Sequence, residues 1–589
     1  MLDRHAVLGV VHSATGRRWA GPDADTERLG LAIAQAAGVP GLVGLILASR
    51  GVAPDEAEGY LSPTLRALMP DPSTLIGMDD AAGRLARAAL RGERVALFGD
   101  YDVDGAASLA LLAEWFDAAG IEATLYVPDR LTEGYGPNVP AMRRLGESHD
   151  LVVCLDCGTV AHEPVAAARA AGADVVVIDH HLPGEALPEA VAVVNPIRAD
   201  CASGLGQLCA AGVAFLVLVA ANRLLRAKGG AAPDLMAALD LVAVATVADV
   251  APLTGLNRAF VRQGLAVMAR RVRPGLAARA DAAGLVAPPR SSDLGFVLGP
   301  RLNAGGRVGD ATLAARLLTA PDRATAERLA AEVEAMNAAR RSIEAEAAAA
   351  AAVQAEARLA EGAALAWAAD PSWHPGVLGI VAGRLRERFG CPAVVLGGAG
   401  ELLQGSARSV PGVDIGSSVA ALAREGLIAK GGGHRMAAGL AVAPDRAAEA
   451  MAALAARLEA AGAGTAEPEA LVVDGLVAPA AATPDLVAAM ERAGPFGQSS
   501  PPPRVALAGV VPTYVKVSDK GHASLRLAGP AGRPLAAIAF GAGESGLARL
   551  LTERAAARGA LHVAGRLEID DWGGRRRAKL RLEDAADPC

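Results

Sequence analysis

A chain of 589 residues has room for three or four domains and a sizeable core. Its 52% hydrophobic content and mean hydropathy of +0.30 are owed mostly to alanine. No apolar run approaches the ~18–20 residues of a transmembrane span, and the N-terminus lacks a signal-peptide pattern, so a soluble cytoplasmic protein is expected. A formal net charge of −7 excludes blanket electrostatic attraction to nucleic acid but leaves room for a local basic groove.

Residues 1–75 read as an N-terminal extension. Helical apolar spacing over 29–50 is broken by the proline-containing stretch 61–73. From about 80 to 255 the pattern alternates. Strand-like runs at 94–99, 123–128, 151–156, 174–179 and 191–195 are separated by helical runs such as 163–171. That alternation predicts a mostly parallel sheet covered by helices, with ligands beyond the carboxyl ends of the strands.

The polar residues sit at those ends. The run Val95–Gly99 leads into a loop with Asp100, Asp102 and Asp104 at alternate positions, followed by an apolar helix over 106–119. Three carboxylates within five residues repel one another, and divalent cations remove that cost. A solvated acidic turn or an Asp-rich helix cap would give the same local pattern. Asp156 ends another run, and Asp179, His180 and His181 end a third. Three such groups at equivalent strand ends are hard to explain by capping. Asp249 lies within the apolar run 239–250, where a carboxylate is costly unless paired or metal-bound. About five carboxylates with one or two imidazoles suit manganese or magnesium, and two ions better than one; zinc would bring more Cys or His. Two-ion sites of this composition serve phosphoryl transfer.

Six cysteines in so long a chain make no disulfide framework. Cys154 and Cys157 have CxxC spacing, but no second pair follows at zinc-finger distance, so redox or zinc use is disfavoured.

Residues 311–360 are rich in Ala, Glu and Arg and predict a long helix or helix pair that connects two domains. Strands at 364–369, 393–396 and 402–409 and helices at 376–388 and 415–424 then predict a second, smaller α/β domain. Its segment from Gly431 to Gly439 contains Gly432, Gly433, His434 and Arg435. It reads either as a phosphate cradle, with glycine N–H groups and two side-chain donors, or as a flexible turn. Beyond 466, short strands at 470–477, 504–510, 523–527, 535–539 and 561–567 predict a small β-barrel with an intervening helix. Trp572 with Arg575, Arg576, Arg577, Lys579 and Arg581 joins an aromatic to a basic cluster, as single-strand binders do; a solvated strand pair fits it too. Gly541–Gly546 matches GxGxxG but lacks a surrounding βαβ unit and is discounted as a dinucleotide site.

Several segments occur in a telling order. They are Gly99-Asp-Tyr-Asp-Val-Asp-Gly105, Pro128-Asp-Arg-Leu-Thr-Glu-Gly-Tyr-Gly136, Asp156-Cys-Gly158, Asp179-His-His181, Thr246-Val-Ala-Asp-Val-Ala-Pro-Leu253, Gly299-Pro-Arg-Leu-Asn-Ala-Gly-Gly-Arg307, Trp373-His-Pro-Gly376 and the Gly431-Gly-Gly-His434 run. From about residue 40 to the end the chain resembles the DHH phosphoesterase superfamily, and within it the branch of single-strand-specific 5′→3′ exonucleases. The resemblance implies a parallel-sheet DHH domain over 76–315, a connecting helix over 316–360, a DHH-associated α/β domain over 361–465 and an OB-fold over 466–589.

It also implies site residues. Asp102, Asp104, Asp156, His180 and Asp249 would ligate manganese or magnesium, with Asp156 bridging two ions and Asp100 a further ligand or the neighbour of one. His181 would contact the scissile phosphate. Arg130, Ser406, Arg408 and either Arg301 or Arg307 would hold phosphates, including a terminal 5′ phosphate, with Asn303, Gly432, Gly433 and His434 in the DNA-binding set. The implied activity is hydrolysis of single-stranded DNA from the 5′ end to 5′-mononucleotides, in repair and recombination. A monomer with no membrane contact is expected, with a single-strand-binding protein and a helicase as possible partners. The rival functions are a DHH hydrolase of short oligonucleotides or cyclic dinucleotides, and a catalytically silent replication scaffold. The first is generally shorter and lacks a β-rich tail; the second loses metal ligands that this chain keeps. The chain departs from the family pattern at Gly305, where alanine is usual, and in the segment 495–503, which lacks an expected glycine and asparagine.

Overall fold

The computed structural model describes residues 6–129, 133–134, 136–463, 469–530, 532–544, 546–570 and 576–588. They form two compact units: 70–251 with 264–466, and 1–69 with 252–263 and 467–589.

The larger unit contains two sheets. The first consists of β1 (Val95–Gly99), β2 (Thr124–Tyr126), β3 (Leu151–Leu155), β4 (Asp174–Ile178) and β5 (Ala192–Val194), all parallel, in the order β2-β1-β3-β4-β5. Every residue of β1 and β3 is buried, as expected of parallel strands covered on both faces by crossover helices. The helix Val103–Ala118 after β1 is apolar nearly all round and correspondingly buried. The register pairs Gly99 with Leu155 and Leu155 with Ile178, so β1, β3 and β4 end level and deliver Asp100, Asp156 and Asp179 to one edge.

The second sheet consists of β6 (Ala366–Asp370), β7 (Ala393–Gly397), β8 (Leu403–Arg408), β9 (Lys430–His434) and β10 (Ala437–Val442), in the order β9-β10-β8-β7-β6. Only β6 and β7 run parallel. The glycine run at 431–433 is therefore not a flexible turn. It forms β9, paired antiparallel with β10 and joined to it through a turn at Arg435 and Met436. The long element is a short helix, Leu313–Leu318, and a 38-residue helix, Arg323–Ala360, which begins at Asp322, whose side chain accepts the Thr325 N–H.

Helix Ala210–Ala227 corrects the expectation about apolar runs. Its 18 residues are long and apolar enough to cross a membrane, but 72% of that window is buried inside the protein, as in a core helix. It packs against Val103–Ala118 beside the first sheet.

The other unit is built on an antiparallel barrel with one parallel junction. Strands Val505–Val517, Ala523–Ala528, Leu535–Ala539, Arg577–Ala586 and Leu561–Asp570 follow one another, and Val505–Val517 pairs back with Leu561–Asp570 to close the barrel. Closure removes the free edges. The basic residues Arg577, Lys579 and Arg581 lie on one of its strands, whereas Trp572 and Arg575 lie outside the described residues. Trp19–Ala20 pairs in parallel with Leu471–Val472. Ile33, Val43, Ile46 and Leu47 of the first two helices share a core with Val505, Leu507, Leu525, Val563 and Leu580 of the barrel.

Candidate metal centre

Each acidic ligand candidate is fixed by its own piece of backbone. Asp102 caps helix Val103–Ala118, its Oδ1 accepting the N–H groups of Asp104 and Gly105 at 2.9 and 3.0 Å. Asp104 is buried and faces the start of helix Ala210–Ala227. Its Oδ2 accepts the Ala210 N–H at 2.6 Å and its Oδ1 the Ala211 N–H at 2.9 Å. Asp156 follows β3 with a φ of +61°, a left-handed conformation that costs a non-glycine residue energy and is held by the surrounding chain. Asp249 stands at the C-terminus of helix Leu239–Ala248, not at a strand end.

These groups converge. Asp100, Asp102 and Asp156 form one cluster with ligand atoms within 4.8 Å of one another; Asp156, His180 and His181 form a second, and Asp104, His180 and Asp249 a third. His180 Nε2 lies 3.2 Å from Asp156 Oδ1, 3.7 Å from Asp104 Oδ2 and 3.9 Å from Asp249 Oδ2. Asp156 and His180 each belong to two clusters, so the set has the form of two adjoining sites joined through them.

The electrostatics mark the centre as built for cations. Burial, and then the charges of Asp104, Asp102, Asp100 and Asp179, push Asp156 well above the usual carboxylate range. Burial also raises Asp104, although His180 and the two helix amides pull it back. Asp249 is pushed up to about 8 by burial and by Asp104 and Asp102. The Oδ1 of Asp156 is buried and accepts no hydrogen bond among the described residues. A set of carboxylates with one or two imidazoles, and a buried carboxylate oxygen that accepts no hydrogen bond among the described residues, fits manganese or magnesium.

Asp179 differs from its neighbours. Its Oδ1 receives His181 Nδ1 at 2.8 Å and the N–H groups of His180 and His181, while its Oδ2 accepts the Thr159 N–H at 3.0 Å. Burial would raise it, yet the His181 and Thr159 bonds hold it below the ordinary range. In turn Asp179 overcomes the effect of burial on His181 and, with Asp100 and Asp102, raises it to about 9. Asn195 completes the support, donating to Thr159 Oγ1 at 3.0 Å and to the His181 carbonyl at 2.8 Å. The sequence placed Asp179 at a strand end beside the two histidines but assigned it no role; Thr159 and Asn195 gave no signal.

The remaining candidates separate into two groups. A cavity of about 1110 Å³ is lined by Arg307, Ser406, Arg408, Lys430, Gly433 and His434, among others. In it Arg408 Nη1 donates to Ser406 Oγ at 3.0 Å. A Cβ on Gly379 would lie 2.8 Å from Arg408 Nη2 and 3.1 Å from Ser406 Oγ, so glycine lets that helix approach the pair without displacing the guanidinium. Gly432 lies on β9 and is not among the lining residues. Arg301 is held elsewhere, by Glu334 at 3.0 Å and the Val297 carbonyl at 2.8 Å. Asn303 Oδ1 accepts the Val103 N–H at 2.9 Å, which anchors the aspartate loop. The glycines after it are packing positions: a Cβ on Gly305 would meet the Asp310 carbonyl oxygen at 2.3 Å, and one on Gly306 the Tyr101 carbonyl oxygen at 2.7 Å. The departure from alanine at Gly305 thus suits this backbone. Arg130 lies outside the described residues.

Comparison with known proteins places the domains of the chain. Residues 94–246 match the DHH family, N-terminal domain; 360–460 match the DHHA1 domain; and 473–584 match the RecJ OB domain. Among curated relatives, the single-stranded-DNA-specific exonuclease RecJ of Bacillus subtilis is 31% identical over 92% of this chain and 68% of its own length. The protein of the same name from Dickeya dadantii is 38% identical over 69% of this chain and 73% of its own. The crystal structure of RecJ from Thermus thermophilus in complex with Mn2+ superposes with a TM-score of 0.78 at 29% identity, covering 97% of this chain and 80% of that one. A second structure, exonuclease RecJ bound to manganese, gives a TM-score of 0.56 at 34% identity over 65% of this chain and 95% of that one. With the DHH, DHHA1 and OB domains all present in order, the chain belongs to the RecJ family.

Proposed function

We propose that this protein is a metal-dependent exonuclease that degrades single-stranded DNA from its 5′ end to 5′-mononucleotides. The observation that carries this reading is the convergence of Asp100, Asp102, Asp104, Asp156, His180 and Asp249 into adjoining clusters that share Asp156 and His180.

Asp100, Asp102 and Asp156 would hold one manganese or magnesium ion, and Asp104, His180 and Asp249 the other, with Asp156 between them. Bound there, the ions supply a nucleophile at neutral pH and neutralise charge on the phosphoryl group. The protein's own groups do the rest. The helix amides at Ala210 and Ala211 and the cap at Asp102 fix the carboxylates, so little reorganisation is needed when charge develops. Asp179 holds Nδ1 of His181 and leaves Nε2 to donate to a phosphate oxygen or to the departing 3′ oxygen. Arg307, Ser406, Arg408 and His434 would receive a terminal 5′ phosphate by charge-assisted bonds, which sets the polarity. Arg130 would join them.

In this reading the DHH domain spans 76–315, the connecting helix 316–360 and the DHH-associated domain 361–465, while residues 466–589 guide the strand. The protein would act as a cytoplasmic monomer in DNA repair and recombination, alongside a single-strand-binding protein and a helicase. Digestion of 5′- and 3′-labelled single strands and duplexes with manganese, magnesium or chelator tests the reading. Release of labelled mononucleotide first from the 5′ end of single strands, abolished by chelator, is expected; 3′ release or equal duplex cleavage overturns it.

A further inference from the structure

Three large aliphatic side chains stand more than half exposed beside the metal candidates: Val160 at 58%, Leu182 at 61% and Val250 at 63%. Each directly follows a residue of the centre in the chain, namely Thr159, His181 and Asp249. Thr159 and His181 are tied together, since Asn195 donates to Thr159 Oγ1 and to the His181 carbonyl, and both residues bond to Asp179. A Cβ on Gly184 would lie 3.7 Å from Val160 Cγ1, so the chain just past Leu182 packs against Val160. Val160 and Leu182 thus belong to the side of the cluster Asp156, His180 and His181, whereas Val250 belongs to that of Asp104, His180 and Asp249. The two sides meet at the paired imidazoles, whose ring centres are 4.8 Å apart. Single apolar residues on a surface need no explanation, but three around one polar centre do.

The backbone at Val250 adds an independent observation. Helix Leu239–Ala248 closes with two bonds, from the Ala251 N–H to the Thr246 carbonyl at 3.1 Å and from the Val250 N–H to the Val247 carbonyl at 3.2 Å. This closure calls for a left-handed residue after the cap, and Val250 supplies it at φ +58°. Glycine takes that conformation freely, whereas a β-branched residue is crowded by its own backbone. Burial does little to offset the strain, because the side chain faces solvent. Strain held in this way beside a site points to a use for the side chain at that site.

The chemistry of a nucleobase fits such a rim. Its faces are apolar and its edges polar, so aliphatic side chains give it contact area without reading its identity. In a duplex the faces are covered by neighbouring pairs, and only an unpaired base can offer them.

We propose that Val160, Leu182 and Val250 form an apolar rim that packs against the bases of the two nucleotides flanking the scissile phosphate and so positions that phosphate at the metal centre. The proposal rests on the nuclease reading above and adds to it a reason for accepting unpaired nucleotides of any sequence.

The test uses the full-length protein and 5′-phosphorylated single-stranded pentamers, either normal or abasic at the first two positions. Affinity is measured in chelator and kcat/KM with manganese. Leu182→Ala and Val250→Gly are each expected to lower both quantities about 3–10-fold on the normal pentamer, the weight of a few buried methyl groups. On the abasic pentamer, which has no base to meet the rim, each should change them less than twofold. Leu182→Met, which keeps the apolar area, should restore most of the loss. Val250→Gly should also keep manganese affinity and should not lower Tm, because it relieves the left-handed valine; a residue that merely supports Asp249 would lose one or the other. If Leu182→Ala fails to fold, Val160→Ala carries the same comparison of pentamers. Equal losses on the two pentamers, or no loss on the normal one, overturn the rim. Failure of the wild type to cleave the normal pentamer would instead overturn the nuclease reading, while affinities in chelator would still report whether bases meet the rim.

Discussion

His181 Nδ1 lies 2.8 Å from Asp179 Oδ1, and the same carboxylate oxygen also accepts the His181 backbone N–H. The ring is therefore fixed in one orientation, with Nε2 turned away from the carboxylate. Asp179→Asn would unsettle the proton on Nδ1 without removing a group from any of the three ligand clusters. We expect a rate loss of roughly 10²–10⁴ with manganese affinity unchanged. Calorimetric metal binding beside steady-state turnover checks this, and a parallel loss of metal affinity would contradict it.

The two histidines should respond differently to metal. His180 Nε2 points at Asp156, Asp104 and Asp249, whereas His181 Nδ1 is committed to Asp179. His180→Ala is expected to weaken manganese binding, so that extra metal partly restores its rate. His181→Ala should bind metal normally and stay slow at saturating metal. Titration of each variant with manganese separates the cases; rescue of His181→Ala alone would reverse the assignment.

Metal-free stability should fall as pH rises. The folded pKa of Asp249 is raised from 3.8 to about 8, and those of Asp156 and Asp104 are raised as well. A carboxyl whose pKa is raised by folding binds its proton more tightly in the native state. Its contribution is most favourable at low pH and is lost as pH climbs from its ordinary value through its folded one, here from 3.8 to about 8. In chelator, Tm should drop across that window, and manganese should remove the drop. Asp156→Asn should raise the chelator Tm at pH 8 by a few degrees while abolishing cleavage. A lower Tm would mean that the carboxylate is not under electrostatic strain.

Polarity depends on the cavity at Ser406 and Arg408. Arg408→Ala removes a guanidinium that sits 3.0 Å from Ser406 Oγ. It should reduce the preference for 5′-phosphorylated over 5′-hydroxyl ends about tenfold, the weight of a charge-assisted bond. Competition between the two ends in one reaction measures it directly; a preserved preference places the 5′ phosphate elsewhere.

Removing residues 466–589 should do more than weaken the grip on long strands. Ile33, Val43, Ile46 and Leu47 would lose the barrel residues with which they share a core. The truncated chain is expected to bind an apolar dye and aggregate, and further removal of 1–69 should suppress both. Equal solubility of the two truncations would mean that the N-terminal helices need no barrel.

The amino-acid sequence by itself determined the alternation of strands and helices, the parallel sheet, the closing β-rich segment and the placement of Asp100, Asp156 and Asp179 at strand ends. These are local records: an all-apolar run of five residues ended by aspartate reports burial and then a polar edge, whatever the chain does elsewhere. Asp102 and Asp104 were legible for the same reason, being residues of the same loop as Asp100.

The tertiary structure decided what depends on distant pairs. Asn303, read as a DNA contact, is 200 residues from Val103 and is the acceptor that anchors the aspartate loop. Arg301 and Arg307 are equivalent by spacing, yet only Arg307 reaches the cavity, because Glu334 on a separate helix holds Arg301. The glycine run became a strand because Ala437–Val442 offered it a partner for its backbone groups. Trp19 and Ala20 found theirs at Leu471 and Val472, more than 400 positions along the chain. Residue spacing encodes which face a side chain takes; it carries no term for which remote backbone or carboxylate will meet it, and that meeting is set by the packing of whole elements.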